Sequence, residues 1–114
     1  MQSVSLIVYQ VGDLGAAKRF FREINGAGPY VDSPQYVGYK VGEMEIGLVP
    51  AGDKTGAGAL PYWTVKDIAA SVKGLVAAGG TVVQDITDVA YGLLVASVKD
   101  PNGATIGLRQ FPPA

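Results

Sequence analysis

Histidine and cysteine are both absent from the 114 residues. That removes the side chain most often used as a general acid or base near neutral pH, the commonest metal ligand, and every disulfide or thiolate site. The groups left with chemical reach on predicted strands are Gln10, Glu45, Tyr62, Thr64 and Arg109. Arg109 offers a planar fork that pairs bidentately with a carboxylate or phosphate, and its plainer use is a salt bridge to Glu45. Tyr62 supplies a ring for stacking and a hydroxyl for donation. No Gly-rich phosphate loop is present, since neither GxGxxG after a strand nor GxxxxGK[ST] occurs.

The elements that must hold these residues follow from periodicity. "SLIVYQV" is β-branched and aromatic, and "LGAAKRFFREI" then places Leu14, Ala17, Phe20, Phe21 and Ile24 at helical spacing, capped by Asp13 and stopped at "NGAG". "QYVGYKV" and "MEIGLVP" read as strands joined at Gly42-Glu43. After the Gly/Ala-rich "AGDKTGAGA", a flexible connector by composition, the order repeats. "LPYWTV" is a strand, Asp67 caps the helix "IAASVKGLVAA", and "TVVQDI", "YGLLVASV" and "ATIGLRQ" are strands, the last two joined by the "KDPNG" turn. Leu6 falls on Leu60, Val11 on Val65, Asp13 on Asp67 and Ala16 on Ala70 at one constant offset. The economical reading is two equal βαβββ modules, about 1–50 and 60–114, with a connector at about 51–59, in one domain spanning 1–114.

One oddity runs through both halves. Gly47 in "EMEIGLVP" and Gly107 in "ATIGLRQ" are interior strand glycines in matching "IGL" settings, although glycine weakens a strand. Close packing of neighbouring side chains or strands is one mechanical reason for them.

The segments "YQVGDLGAAKRFF", "YWTVKDIAASVKGLVAAGGTVVQ" and above all "VASVKDPNGATIGLRQ" make the chain resemble the glyoxalase, bleomycin-resistance and extradiol-dioxygenase (vicinal oxygen chelate) superfamily over essentially its whole length. The resemblance implies an α+β fold in which two βαβββ modules form a curved, partly closed mixed sheet around a cavity. In the enzymes of that superfamily the cavity holds a divalent metal, on a His or Gln of each module's first strand and a Glu in its last. Carried over residue by residue, those positions are Leu6 and Gly47, then Leu60 and Gly107. None is a ligand, and divalent ions need several oxygen or nitrogen donors, so neither metal nor other cofactor is expected.

Strand alternation then fixes which side chains share the face of those stations. Val8 and Gln10 accompany Leu6, Tyr62 and Thr64 accompany Leu60, Glu45 and Val49 flank Gly47, and Thr105 and Arg109 flank Gly107. An apolar floor with a few polar points suits an organic ligand. The expected ligand-binding set is Leu6, Val8, Gln10, Glu45, Gly47, Leu60, Tyr62, Thr64, Gly107 and Arg109. Trp63 has the opposite orientation and is expected under the second helix. Tyr36 and Tyr39 point to opposite faces, so at most one lines the cavity, and Tyr91 is placed near its rim.

Three functions are open on this basis. The preferred one is metal-independent sequestration of an organic ligand, as in bleomycin-resistance proteins. The second is a metal-free isomerase or lyase with Glu45 as base, Arg109 stabilising an oxyanion and Tyr62 donating a proton. The third is a dimeric interaction module with a vestigial cavity, and a homodimer is compatible with all three. A formal net charge of −1 gives no basic surplus for nucleic acid. The N-terminal apolar run is too short to span a bilayer and lacks a signal peptide's features, and a cytoplasmic location with no membrane partner is expected.

Overall fold

The computed structural model describes residues 3–51 and 58–113. They form β1 (Ser3–Val11), α1 (Leu14–Asn25), β2 (Val31–Asp32), β3 (Val37–Val41), β4 (Met44–Pro50), β5 (Ala59–Thr64), α2 (Ile68–Ala77), β6 (Thr81–Ala90), β7 (Leu93–Lys99) and β8 (Thr105–Gln110). The connector expected at about 51–59 lies outside the described residues at 52–57, and Ala59 already belongs to β5. Two compact units arise, Ser5–Leu60 and Met1–Val4 with Pro61–Ala114. No helix is long and apolar enough to cross a membrane, among the described residues.

In the unit of Ser5–Leu60 the strands lie in the order β2-β3-β4-β1, with β1 parallel to β4 and the other pairs antiparallel. Asp13 starts α1 by accepting from the Ala16 amide at 2.9 Å, and Gly26 ends it in the left-handed conformation (φ 78°) that a side chain would strain. One face of the sheet is apolar. Val37, Tyr39 and Leu48 are fully buried there, with Tyr9, Val11 and Ile46 beside them and Leu14, Ala17 and Phe21 of α1 packed above. The Tyr39 hydroxyl donates to the Lys18 carbonyl at 2.9 Å, which gives a phenol in the core its partner.

The other unit has the order β5-β8-β7-β6, with β5 parallel to β8. Asp67 accepts from the Ala70 amide at 3.0 Å, and the Gln110 side chain accepts from Ile68 N at 2.7 Å, so two orphan donors of α2's first turn are satisfied. Val65, Ile68, Ala96, Val98 and Leu108 form the core, with Val72, Leu75, Leu94 and Ile106 around them. Each unit is a βαβββ module with a mixed sheet, and the fold class is α+β as expected.

One strand was not foreseen, and two local expectations need correction. β2 has only two residues, too few to show a period, and it forms by pairing with β3. β6 runs to Ala90 rather than Ile86, and β7 starts at Leu93, because Tyr91 and Gly92 both take positive φ (48° and 90°) in a two-residue hairpin turn. The Asp88 carboxylate braces that turn by accepting from Gly92 N at 3.1 Å. Trp63 does lie on the face opposite Tyr62, paired with the core residue Leu108, but it stays 39% exposed and outside the cluster of Val65, Ile68, Ala96, Val98 and Leu108.

Candidate functional site

The face of each sheet that points away from its helix carries the residues singled out by alternation. In the first unit Leu6 pairs with Glu45, Val8 with Gly47 and Gln10 with Val49 across β1 and β4. Gly38 and Lys40 of β3 pair with Gly47 and Glu45 and so join the same face. Leu6, Val8, Gly38 and Gly47 are buried.

Two glycines side by side leave a pit in the sheet, and the ring of Tyr36 lies in it. A Cβ on Gly47 would stand 2.5–2.8 Å from the hydroxyl and two ring carbons of Tyr36, and one on Gly38 would stand 3.0 Å from Tyr36, Tyr30 and Glu45. The matching glycine of the repeat therefore serves close approach of a ring, which is the mechanical reason that strand glycines often have. Tyr36 is brought there by a tight local turn. Ser33 Oγ accepts from Tyr36 N at 3.1 Å and donates to Tyr36 O at 3.1 Å, and Ser33 N donates to the same carbonyl at 3.0 Å.

Glu45 is the centre of this face. Tyr30 donates its hydroxyl to Oε1 at 2.5 Å and Tyr36 donates to Oε2, so both carboxylate oxygens are held by phenols. Tyr30 is itself fixed by its amide, which donates to the Gly38 carbonyl at 2.9 Å. Lys40 completes the group, with Nζ 3.9 Å from Oε1 and 4.7 Å from the centroid of the Tyr30 ring. The Glu45 side chain keeps only 15% exposure. Sequence reasoning found Glu45 and Gly47 but not Tyr30, which precedes a strand too short to be read, nor Lys40. The register of β3 on β4 places Lys40 and was legible only as alternation within one strand.

In the second unit Tyr62 pairs with Gly107 and Thr64 with Arg109 across β5 and β8, while Ser97 and Val95 of β7 face the same pair from the other side. The Tyr62 ring lies over Gly107, where a Cβ would meet three of its carbons at 2.6–2.8 Å. Burial pushes the Tyr62 hydroxyl above the ordinary phenol range. Arg109 donates from Nε to Thr64 Oγ1 at 3.1 Å, and its guanidinium carbon stands 4.9 Å over the Phe111 ring. Leu60 is half-buried on β5, on the Tyr62 side by alternation.

Of the remaining aromatics, Tyr36 lies on the face of Glu45 and Tyr39 on the opposite one, as the odd spacing requires. Tyr91 is 99% exposed at the hairpin tip. A groove of about 410 Å³ exists on the helix side of the first unit, lined by Leu14, Gly15, Lys18, Asp32, Ser33 and Pro34. None of the residues expected to bind ligand lines it.

The stations that would hold a divalent metal do not fit one. Leu6, Gly47, Leu60 and Gly107 offer no donor atoms, and the space beside both glycines is taken by a tyrosine ring. Among the described residues no three His, Cys, Asp or Glu side chains gather as a possible ligand set.

Two βαβββ modules whose last strands carry the "IGL" stations define a glyoxalase-type protein, and the chain belongs to the Glyoxalase/Bleomycin resistance protein/Dioxygenase superfamily, which it matches over residues 3–108. Among curated proteins it is 31% identical to "Putative glyoxylase CFP32" of Mycobacterium bovis, an alignment that takes in 89% of this chain and 42% of that one. The same figures hold for the protein of that name in Mycobacterium tuberculosis. The chain thus spans less than half the length of the curated relatives it matches. Its fold is shared with methylmalonyl-CoA epimerase of M. tuberculosis, at a TM-score of 0.70 and 19% identity, covering 96% of this chain and 88% of that one. It is shared equally with a superfamily member from Vibrio splendidus, at a TM-score of 0.70 and 16% identity, covering 96% and 98%.

Proposed function

We propose that this chain binds a small organic molecule without a metal, in the manner implied for bleomycin-resistance members of the superfamily. The observation that carries the reading is the replacement at the Glu stations. Where metal-dependent relatives would aim a carboxylate, Gly47 and Gly107 instead seat the rings of Tyr36 and Tyr62. In one unit the Tyr36 ring shares a face with the buried Leu6 and Val8 and with Glu45, and in the other the Tyr62 ring shares a face with Thr64 and Arg109, so each offers apolar and aromatic surface with a few fixed polar groups, the composition that holds organic ligands. A thermal-shift screen of aromatic antibiotics, small carboxylic acids and amines tests this, because a ligand that binds only the folded state raises its melting temperature. Elemental analysis of protein purified without chelator is run beside it. A stoichiometric zinc, nickel, iron or manganese that stabilises the fold would overturn the reading, and so would a screen in which nothing shifts the transition.

The engagement of Glu45 by two phenols favours a second reading, a metal-free isomerase or lyase in which Glu45 and a tyrosine share a proton transfer. Turnover of a screened ligand, lost in Glu45→Gln with binding retained, would put this ahead of simple sequestration.

A further inference from the structure

We propose that the group formed by Tyr30, Tyr36, Glu45 and Lys40 is a seat for an organic cation, with the Lys40 ammonium as its resident stand-in. This rests on the binding reading above and names the ligand class. The position of Lys40 Nζ shows what the seat accepts. It lies over a ring face at cation–π distance, 4.7 Å from the Tyr30 centroid, and toward a carboxylate oxygen at 3.9 Å. The second distance is beyond a hydrogen bond, so the attraction there is one of charge and not of donor to acceptor.

The carboxylate is built to stay where it is. Two phenols hold its oxygens, the Tyr30 amide anchors one phenol to Gly38, and the Ser33 turn anchors the other. By contrast the lysine side chain is 61% exposed and enters from the outer part of β3. A long flexible chain with its head mostly in water is the replaceable member of such a group. The phenols take one acceptor site on each Glu45 oxygen, and the resident ammonium, 3.9 Å from Oε1, is held there by charge and the ring face without a hydrogen bond to the carboxylate. The seat therefore favours a cation that needs no hydrogen bonds, a methylated ammonium carried on a small organic molecule. Such groups are recognised by ring faces together with a nearby negative charge.

The experiment is a calorimetric and NMR titration of the full chain with tetramethylammonium and choline, against the uncharged choline isostere 3,3-dimethyl-1-butanol. Choline is expected to bind with one site per chain and to shift the Tyr30 and Tyr36 ring resonances, with the neutral isostere about tenfold weaker or more. Lys40→Ala removes the competitor and is expected to tighten choline binding about three- to fivefold, whereas Tyr30→Leu weakens it about five- to tenfold and Tyr30→Phe, which keeps the ring, changes it by less than about threefold. Circular dichroism establishes that each variant is folded. Equal binding of the isostere, no tightening in Lys40→Ala, or no saturation of Lys40→Ala at millimolar choline would each overturn the proposal. Neutral and anionic aromatic compounds in the same series separate the two ideas: if they bind and the cations do not, the ligand class is wrong and the binding function stands.

Discussion

Gly47→Ala is the smallest change that tests why the strand carries a glycine. The added methyl would stand 2.5 Å from the Tyr36 hydroxyl and 2.6 and 2.8 Å from two ring carbons, contacts that real Cβ atoms do not make. The backbone of β4 is paired on both sides and cannot retreat, so the ring must leave. Overpacking of this kind costs about 1–3 kcal/mol. Alanine recovers about 0.5–1 kcal/mol relative to glycine in a strand, leaving a net loss of about 0–2.5 kcal/mol. In a Tyr36→Ala background the obstruction is gone, and the same substitution should be neutral or stabilising by about 0.5–1 kcal/mol. The double-mutant cycle from urea unfolding should therefore show a coupling of about 1–3 kcal/mol between the two positions. An equal effect of Gly47→Ala in both backgrounds would mean that Tyr36 does not sit on Gly47.

Gly107→Ala should cost more than Gly47→Ala, toward the upper end of about 1–3 kcal/mol, because Tyr62 stands on the strand directly paired with Gly107 and has less freedom to swing aside; thermal unfolding in parallel with Gly47→Ala decides the order. Tyr62 is shifted upward by burial, and Tyr39 likewise by burial, opposed by Lys18 and Arg22 and reinforced by Asp32. Both prefer the proton when folded, so their contribution is complete below the ordinary phenol value and is lost as pH rises through the raised folded value. Absorbance titration of the parent against Tyr62→Phe and Tyr39→Phe should show that each removes a component ionising above the ordinary phenol range, and alkaline stability should fall less steeply in Tyr62→Phe. Asp13→Ala and Asp67→Ala should each lower stability by about 1 kcal/mol, while Asp13→Ser and Asp67→Ser retain most of it, measured by urea denaturation.

The two modules were legible because α1 is amphipathic, because both helices are capped, by Asp13 and Asp67, and because their strands are aromatic and β-branched between turn residues. What was not legible depends on contacts distant in sequence. β2 exists only as a partner of β3, and β6 passes Ile86 through register shifts that break its alternation. The face of Gly47 followed from period two, and so did the separation of Tyr36 from Tyr39. The direction taken by a ring did not, since Tyr36 precedes β3 and reaches the pit through the Ser33 turn. Tyr30 and Lys40 were missed for the same reason: a strand's own pattern does not reveal which side chains its neighbours lean across it.

The two halves agree in the glycine and differ in what fills its place. Tyr62 comes from the adjacent strand in register with Gly107, as an aromatic ring shielding a cross-strand glycine does. Tyr36 comes from outside the strands, and its hydroxyl continues to Glu45, which has no counterpart at the equivalent place beside Gly107, where Thr105 stands. A glycine within a sheet leaves a volume that close-packed interiors do not leave empty, and any ring within reach can occupy it. Repetition of "IGL" therefore specifies a vacancy twice, whereas the chemistry placed over it is set separately in each module. One module carries a carboxylate gripped by phenols, and the other a half-buried phenol on the same face as a guanidinium held by Thr64 and Phe111. Ligand preference should accordingly respond to substitutions at Tyr30, Glu45 and Arg109 more than to those at the glycines, whose effects should be felt first in stability.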